Sequence, residues 1–216
     1  MLKSARVFLV QGNYNNERLN NFNIETIETV NEVEETLRTQ VFVNEQILER
    51  YTHCRVVMDE IFDITGRAFN RNLSQVIVQN PYDVYIDNRN GLLICLCSKK
   101  SAERIKVVFE EMLDIQYENH IFDLNTIVYD CSNVKKAQFT NLTIQTLNSG
   151  MIKGNRVNDT EIFADMLQNG DLSNIVVTYP FGMQDISISV SASGSLVLYT
   201  NLSDDDFVQF IDELIQ

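Results

Sequence analysis

Residue types that carry chemistry are few in this sequence, and they fall into no catalytic spacing. The cysteines and histidines include no Cys-x-x-Cys pair, and the two histidines are not spaced as metal ligands. The sequence therefore predicts no metal site and reduced thiols, as in cytosolic or nuclear proteins. These residues are Cys54, Cys95, Cys97, Cys131, His53 and His120.

One acidic cluster is compatible with a metal-dependent nuclease. Asp59, Glu60 and Asp63 fall on a segment for which the pattern predicts a helix. No acid-x-Lys triad follows a strand, however, and no Gly-rich phosphate loop, Ser–His pairing or Cys–His pairing is evident. Acidic residues on an amphipathic helix usually form its solvated face. We therefore expect no enzymatic activity, no cofactor and no small-molecule substrate.

The formal net charge of −13 is unevenly distributed along the 216 residues. Residues 1–113 carry 13 basic and 16 acidic side chains, whereas residues 114–216 carry 4 basic and 14 acidic ones. Because phosphate binding depends on Lys and Arg, this pattern predicts that the C-terminal half repels nucleic acid and attracts basic protein surfaces. The alternative is a solvated acidic face that only confers solubility.

The apolar residues do not form a membrane or secretion signal. No run of 18 apolar residues occurs, which excludes a transmembrane helix. The apolar stretch at residues 7–10 is too short for a secretory signal peptide. We expect an intracellular protein, in the cytoplasm or the nucleus, without membrane contact.

An internal repeat is the most informative feature of the sequence. Short motifs recur in the same order about 100 residues apart. The recurring pairs are residues 60–62 with 161–163, 73–78 with 172–177, 83–86 with 185–188, Pro81 with Pro180, Gly91 with Gly194, and Ser101 with Ser203. Agreement in order across so many motifs indicates a duplicated unit.

The residue pattern of each copy predicts a helix, then three strands, then a closing helix. The first helices are predicted at residues 59–69 and 160–168. The strands follow at 73–78, 84–87 and 92–97 in the first copy, and at 175–178, 186–190 and 196–200 in the second. Turns ending at Gly91 and Gly194 join the last two strands, and Ser101 and Ser203 are suited to begin the closing helices. A further strand is predicted before each copy, at residues 23–31 and 141–148.

These elements divide the chain into four segments. Residues 1–22 form an N-terminal extension with one strand at 6–10. The first repeat covers residues 23–113, with an inserted helical segment at about residues 32–58. Residues 114–138 are a linker, and the acidic second repeat covers residues 139–216. The expected fold class is α+β, with tandem β-α-β-β-β-α units. Whether residues 32–58 are an insertion or part of the fold stays open at this level.

The tandem repeat resembles the TATA-box-binding protein family. That family opens each repeat with a strand beginning Asn-hydrophobic-x-x-Thr/Ser, which is similar to residues 141–146. Residues 91–95 followed by the Ser-rich segment 98–102 resemble the stretch that leads into its last helix. The closest type is a diverged, viral member. The resemblance implies one curved antiparallel saddle with helices on the convex side, which presses its concave face into the DNA minor groove.

The resemblance also implies candidate DNA-binding residues. Asn23 and Asn141 match the Asn that reads the groove floor, and Leu73 and Leu172 match two of the family's wedge positions. Lys99 and Lys100 match the basic residues after the last strand. The remaining wedge positions are Asp87 and Val190, so the family's aromatic wedges are missing, and the second repeat lacks the basic pair. The ordinary alternative is that the leucines are core residues and the lysines a solvated helix face.

Two functions follow from these observations. The first is a diverged transcription initiation factor that binds promoter DNA weakly, or only with partner proteins of the transcription machinery. In this reading DNA contact belongs to the first repeat, and partners dock on the acidic second repeat, with Asp204, Asp205 and Asp206 as candidate contacts. The second is a non-enzymatic adaptor whose acidic second repeat mimics nucleic acid.

Overall fold

The computed structural model describes residues 2–47, 50–68, 71–144 and 146–215. In these residues the chain forms twelve strands and four α-helices. The strands are β1 (Lys3–Gln11), β2 (Phe22–Val30), β3 (Val33–Ile47), β4 (Tyr51–Ala68), β5 (Arg71–Asp87), β6 (Leu93–Cys95), β7 (Gln116–Asn119), β8 (Asn133–Ile144), β9 (Leu147–Lys153), β10 (Asp171–Phe181), β11 (Gln184–Ser191) and β12 (Ser195–Leu198). The helices are α1 (Lys99–Leu113), α2 (Leu124–Asp130), α3 (Glu161–Gln168) and α4 (Asp204–Ile215).

The chain divides into two compact units. Residues 10–95 and 100–117 form the N-terminal unit, and residues 2–9, 96–99 and 118–215 form the C-terminal unit. Each unit combines antiparallel strands with helices, so the predicted α+β class is confirmed. The first nine residues, predicted as part of an extension, supply a strand to the C-terminal unit, where Ala5 of β1 pairs with Leu196 of β12.

The sheet of the N-terminal unit has the order β2-β3-β4-β5-β6, and helix α1 packs on one side of it. The apolar stripe of α1 faces the sheet, since its members are buried. The ion pair between Arg104 and Glu60, at 3.1 Å, joins α1 to β4. Tyr82 of β5 donates to the same carboxylate at 2.6 Å and accepts from Ser101 of α1 at 3.2 Å. The stripe residues are Ile105, Val108, Phe109 and Met112.

The helix predicted at residues 59–69 is wrong over residues 59–68, and so is the helical segment at about 32–58; residues 48, 49 and 69 lie outside the described residues. Residues 33–47 form β3 and residues 51–68 form β4, which pairs with β3 on one edge and β5 on the other. Burial alternates with a period of two, because Val56, Met58 and Glu60 are buried while Val57 and Asp59 between them are not. Pairing on both edges gives these residues the hydrogen bonds that a helix would otherwise supply.

The two strands predicted at residues 73–78 and 84–87 are one continuous strand. β5 runs through Pro81, which pairs with Val57 of β4. The missing N–H of a proline is tolerated there because β6 pairs with β5 only at residues 84–86, beyond Pro81.

A two-residue turn at Asn31 and Glu32 connects β2 and β3. Both residues have positive φ values, 48° and 68°, as a type I′ hairpin turn requires. The Asn31 side chain accepts from the backbone N–H groups of Ser74 and Gln75 at 2.9 and 3.0 Å and donates to the Gln75 carbonyl at 2.9 Å. These bonds satisfy β5 backbone groups that would otherwise form an open edge.

The sheet of the C-terminal unit has the order β1-β12-β11-β10-β8-β9. Its apolar side is buried by Ile175, Val177 and Ile188 together with the helices. Phe210 of α4 contacts the ring of Tyr179 on β10, and Phe163 of α3 contacts Phe139 on β8; the centroids in each pair are 5.5 Å apart. We call this side of the sheet the helix side.

Several predicted features of the second repeat are confirmed. The helix predicted at 160–168 is α3, and the strands predicted at 175–178 and 186–190 lie within β10 and β11; the strand predicted at 196–200 is β12, which ends two residues earlier, at Leu198. Ser203 begins α4, since its hydroxyl accepts from the Asp206 N–H at 3.0 Å. The matching prediction for Ser101 is wrong, because α1 begins at Lys99 and Ser101 lies buried within it. Gly91 and Gly194 both take positive φ values in their hairpin turns. The single strand predicted at 141–148 is wrong: β8 ends at Ile144 and β9 begins at Leu147.

We predict that Gly91→Ala destabilises the N-terminal unit by about 2–4 kcal/mol. Gly91 has a φ of 69°, and an added Cβ would lie 2.5 Å from the Tyr14 ring. The control is Gly12→Ala in the same unit, where φ is 105° but no atom lies within 4 Å. Urea unfolding should show a larger loss for Gly91→Ala than for Gly12→Ala. Equal losses would mean that backbone strain alone matters.

Two buried groups and one half-buried group of the N-terminal unit, which lose a proton at alkaline pH, make its stability depend on pH in that range. Burial raises the pKa of Tyr14 from 10.0 to about 12 and that of Cys54 from 9.0 to about 12. Burial also raises the pKa of Tyr117, with smaller contributions from Tyr14, Cys95 and Cys54. The folded state holds these protons more tightly than the unfolded state, so their contribution to stability is complete below pH 9.0 and is lost as pH rises toward about 12.

We therefore expect the free energy of unfolding to fall steadily between pH 9.0 and about 12. The double variant Tyr14→Phe/Tyr117→Phe removes two of the groups and should show a shallower fall in urea unfolding over that range. An unchanged slope in the variant would contradict the assignment.

Candidate nucleic-acid interface

The candidate residues of the first repeat lie apart from one another. Asn23 of β2 is exposed, and through its partners Gln40 and Val57 it lies on the side of the sheet away from α1. Leu73 of β5 is half-buried on the same side. The residues paired across the sheet with Asn23 end at Pro81 on β5. Pro81 is eight residues from Leu73, which is roughly 26 Å along a strand.

The two lysines of the first repeat lie elsewhere. Lys99 and Lys100 are exposed in the first turn of α1. Because α1 packs on the opposite side of the N-terminal sheet from Asn23 and Leu73, Lys100 does not share their surface. The role of these four residues in DNA contact stays a prediction.

The candidates of the second repeat also separate. Asn141 has a φ of 53° at an irregularity of β8, and its amide donates to the Asp171 carboxylate at 2.8 Å. Leu172 pairs with buried Phe139, so it lies on the helix side. A leucine in that position lines the packed face of the sheet, which favours the core alternative over a wedge.

The three aspartates at the start of α4 have roles within the fold, either through a bonding partner or through their position in the first turn of the helix. Asp204 pairs with Lys3 at 2.7 Å, and Asp206 accepts from the Ser203 hydroxyl at 2.6 Å. Asp205 is exposed. Negative charge in the first turn stabilises a helix through its dipole, so helix capping accounts for the cluster without a partner.

The acidic cluster of β4 does not converge. Glu60 is buried on the α1 side, whereas Asp59 and Asp63 lie on the other side of the strand. Asp59 accepts from the Arg38 N–H at 2.8 Å. Among the described residues, no group of three His, Cys, Asp or Glu side chains is placed to hold a metal ion.

A cluster of basic residues lies instead on and next to β8 and β9. Two of these residues fall in the predicted linker, and the sequence pattern did not single out the other two. Lys136 of β8 lies directly opposite Lys153 of β9. Lys135 donates to the Ser187 hydroxyl at 3.3 Å. Arg156 follows β9, and its backbone N–H donates to Asn133 at the start of β8 at 2.8 Å. We call these four the β8–β9 basic cluster: Lys135, Lys136, Lys153 and Arg156.

Strand register places the three lysines of the cluster on the side away from the helices. Lys136 pairs with Val176, whose neighbours Ile175 and Val177 are both buried on the helix side. Lys136 and Val176 therefore point the other way. A bulge between Val176 and Val177 leaves Lys135 as an extra residue of β8, which turns it toward Ser187.

The side that carries the cluster is mostly polar. Its strands contribute hydroxyl and amide groups, with Asp171 and Asp185 near strand ends, and its larger apolar residues are Met151, which is 61% exposed, Val176 and Val197. These polar residues are Gln138, Asn174, Thr178, Ser187, Ser189 and Ser191. Most carboxylates of the unit lie instead in the helices, at Asp130, Glu161, Asp165, Asp204, Asp205, Asp206, Asp212 and Glu213. The sheet thus separates a basic surface from an acidic one.

The corresponding side of the N-terminal unit has the opposite balance. Arg38 and Arg55 lie there, but each has a carboxylate partner. Arg38 pairs with Glu25 at 3.1 Å and Arg55 approaches Asp83 at 3.9 Å. Asp59 adds further negative charge. This surface offers less net positive charge to phosphate than the β8–β9 basic cluster does.

The arrangement of the cluster suits a polyanion. Lysine is a point-charge donor to phosphate, and neighbouring Ser, Thr, Asn and Gln side chains are common additional donors to a nucleic-acid backbone. Comparison of the chain with known protein families and with characterised proteins finds no match. No helix of the described residues is long and apolar enough to span a membrane.

We predict that Lys153→Glu stabilises the C-terminal unit by about 0.5 kcal/mol. Lys136 and Lys153 are directly opposed, and like charges in that position repel, whereas a glutamate would attract. Lys153→Gln removes only the repulsion and should give a smaller gain. Urea unfolding at low salt measures both changes in stability. The differences should shrink at an ionic strength of about 1 M, where the Debye length is about 3 Å and the charge–charge interaction is screened. A destabilised Lys153→Glu variant would show that Lys153 has an attractive partner.

Proposed function

We propose that this chain is a non-enzymatic transcription initiation factor, diverged from the TATA-box-binding protein family, that contacts DNA phosphates through the β8–β9 basic cluster. The observation that carries the proposal is the position of Lys136 and Lys153. Their mutual repulsion costs stability, and a polyanion bound to this side would offset it.

The order of the elements supports the duplication on which the family resemblance depends. One half of the chain runs through β1, a 3-10 turn at Asn16–Arg18, strands β2 to β6 and helix α1. The other runs through β7, α2, strands β8 to β12 and α4, with α3 added between β9 and β10. Each half is six strands with a helical turn after the first and a long helix at the end. This pairing differs from the repeat that the sequence motifs suggest, since the motifs match residues 73–78 of β5 with residues 172–177 of β10, whereas the order of the elements matches β4 with β10.

The proposed mode of binding is backbone contact rather than intercalation. No aromatic residue occupies the family's wedge positions, and Leu172 lies on the helix side. A surface of lysines and small polar side chains binds phosphates and positions a protein on a duplex, and it carries little base specificity. We therefore expect weak binding that tightens when partner proteins of the transcription machinery hold the DNA.

We predict that the chain binds an A·T-rich duplex of 20 base pairs with a log–log salt slope of about −3, as for about three phosphate contacts. Fluorescence anisotropy between 50 and 300 mM salt measures the slope. The double variant Lys136→Glu/Lys153→Glu should lose at least about tenfold in affinity and reduce the magnitude of the slope by about two.

The matched control is Lys99→Glu/Lys100→Glu, which makes the same change in charge at residues that the sequence suggested. It should retain affinity and slope. If this control loses binding and the Lys136/Lys153 variant does not, the contact lies at α1 and the assignment to β8 and β9 is wrong. Absence of binding at 50 mM salt would overturn the proposal of direct DNA contact.

The adaptor function is the second candidate, and the carboxylates on the helices favour it. A chain that binds no DNA but binds a basic protein through α3 and α4 would act in this way. The two functions are separated by adding the same duplex to the complex of the chain with the basic protein and measuring whether the duplex displaces the chain. Competition indicates a shared surface, as expected for a nucleic-acid mimic.

A further inference from the structure

A groove in the C-terminal unit lies away from the β8–β9 basic cluster. It has a volume of about 670 Å³ and is formed by the segment before α2, the end of α3, the start of β10 and the β11–β12 turn. That volume is in the range of binding pockets for small ligands and short peptide segments. The residues that matter most here are Ile121, Asp123, Leu124, Leu167, Asp171 and Leu172.

The floor and one rim of the groove are apolar. Leu124 is buried and Leu172 half-buried beneath it. At the rim, Ile121 is 78% exposed and Leu167 37% exposed. Two large aliphatic side chains left in water at the edge of one groove are typical of a contact surface for an apolar side chain of a partner.

Two carboxylates flank this apolar surface. Hydrogen bonds from Thr126, and from the Asn125 backbone, lower the pKa of Asp123, which keeps it ionised. Asp171 accepts from Asn141 at 2.8 Å. The lining residues include no Lys, Arg or His. The groove therefore combines aliphatic contacts with a fixed negative rim, which repels phosphate and attracts cations.

We propose that this groove binds a basic peptide segment of a partner protein, with one or two large apolar residues flanked by Lys or Arg. The apolar residue would contact Ile121, Leu167 and Leu172, and the flanking cations would lie near Asp123 and Asp171. Charge complementarity decides the class of partner, because neither a nucleic acid nor an acidic peptide is compatible with this rim. This surface is distinct from the one proposed for DNA.

The test uses the full chain and a fluorescein-labelled decapeptide with a central Leu-Phe pair between two Lys-Lys pairs. We expect saturable binding that Ile121→Ser/Leu167→Ser weakens about tenfold, in line with the loss of two aliphatic contacts. Asp171→Asn should weaken binding about threefold and reduce its salt dependence. Peptides with Ser-Ser in place of Leu-Phe, or with Glu in place of Lys, should not bind.

The matched control is Ile162→Ser, which removes another exposed aliphatic side chain from α3, 64% exposed and outside the groove lining. It should bind the peptide as the unmodified chain does. The proposal is overturned if no peptide binds, if the Ser-Ser or Glu peptides bind equally well, or if the groove variants behave like Ile162→Ser. Duplex binding in the same variants separates the two proposals, because the groove substitutions should leave DNA affinity unchanged and Lys136→Glu/Lys153→Glu should leave peptide affinity unchanged.

Discussion

The organisation of the C-terminal unit depends on one constraint, which is that side chains of an antiparallel strand alternate between two sides and the helices can cover only one of them. Ile175, Val177 and Ile188 point toward the helices and form the core with residues of α3 and α4. Their neighbours must then face the other way, and on β8 and β9 those neighbours include Lys136 and Lys153. Burial of the apolar side thus fixes where the positive charge is displayed.

The net charge of −13 is consequently better described by side than by position in the sequence. When charges are counted along the sequence, the C-terminal half has a large excess of acidic side chains. In the folded unit, most carboxylates lie in the helices, and the four basic residues of the β8–β9 basic cluster gather at one end of two paired strands. One unit can therefore present a surface for phosphate and a groove for a basic peptide without either charge cancelling the other.

Local signals allowed parts of the fold to be predicted. Gly91 and Gly194 marked their turns because glycine takes positive φ values at the least steric cost, and Ser203 marked the start of α4 through its capping hydroxyl. The stretch now seen as β4 was missed because its apolar residues fit a helical as well as a strand period, and its partners on both edges are distant in sequence. The turn at Asn31 and Glu32 lacks the glycine that usually identifies such a hairpin.

The candidate site depended even more on tertiary structure. Lys136 and Lys153 become neighbours only through strand pairing, and the side on which Lys135 lies follows from a bulge opposite Val176 and Val177. Neither feature has a signature in the sequence, so Lys135 and Lys136 fell in the segment 114–138 that was interpreted as a linker, and Lys153 and Arg156 were passed over in the second repeat. Leu172 matched a wedge position by its type, but its pairing with Phe139 placed it on the helix side.

The most direct test of this division of surfaces is the rate at which each lysine is acetylated, measured by mass spectrometry with and without duplex DNA. DNA bound at the β8–β9 basic cluster should slow acetylation of Lys136 and Lys153 severalfold and leave Lys99 and Lys100 unchanged. Protection of Lys99 and Lys100, with Lys136 and Lys153 as reactive as in the free protein, would contradict the assignment of the basic surface to the side of the C-terminal sheet opposite its helices.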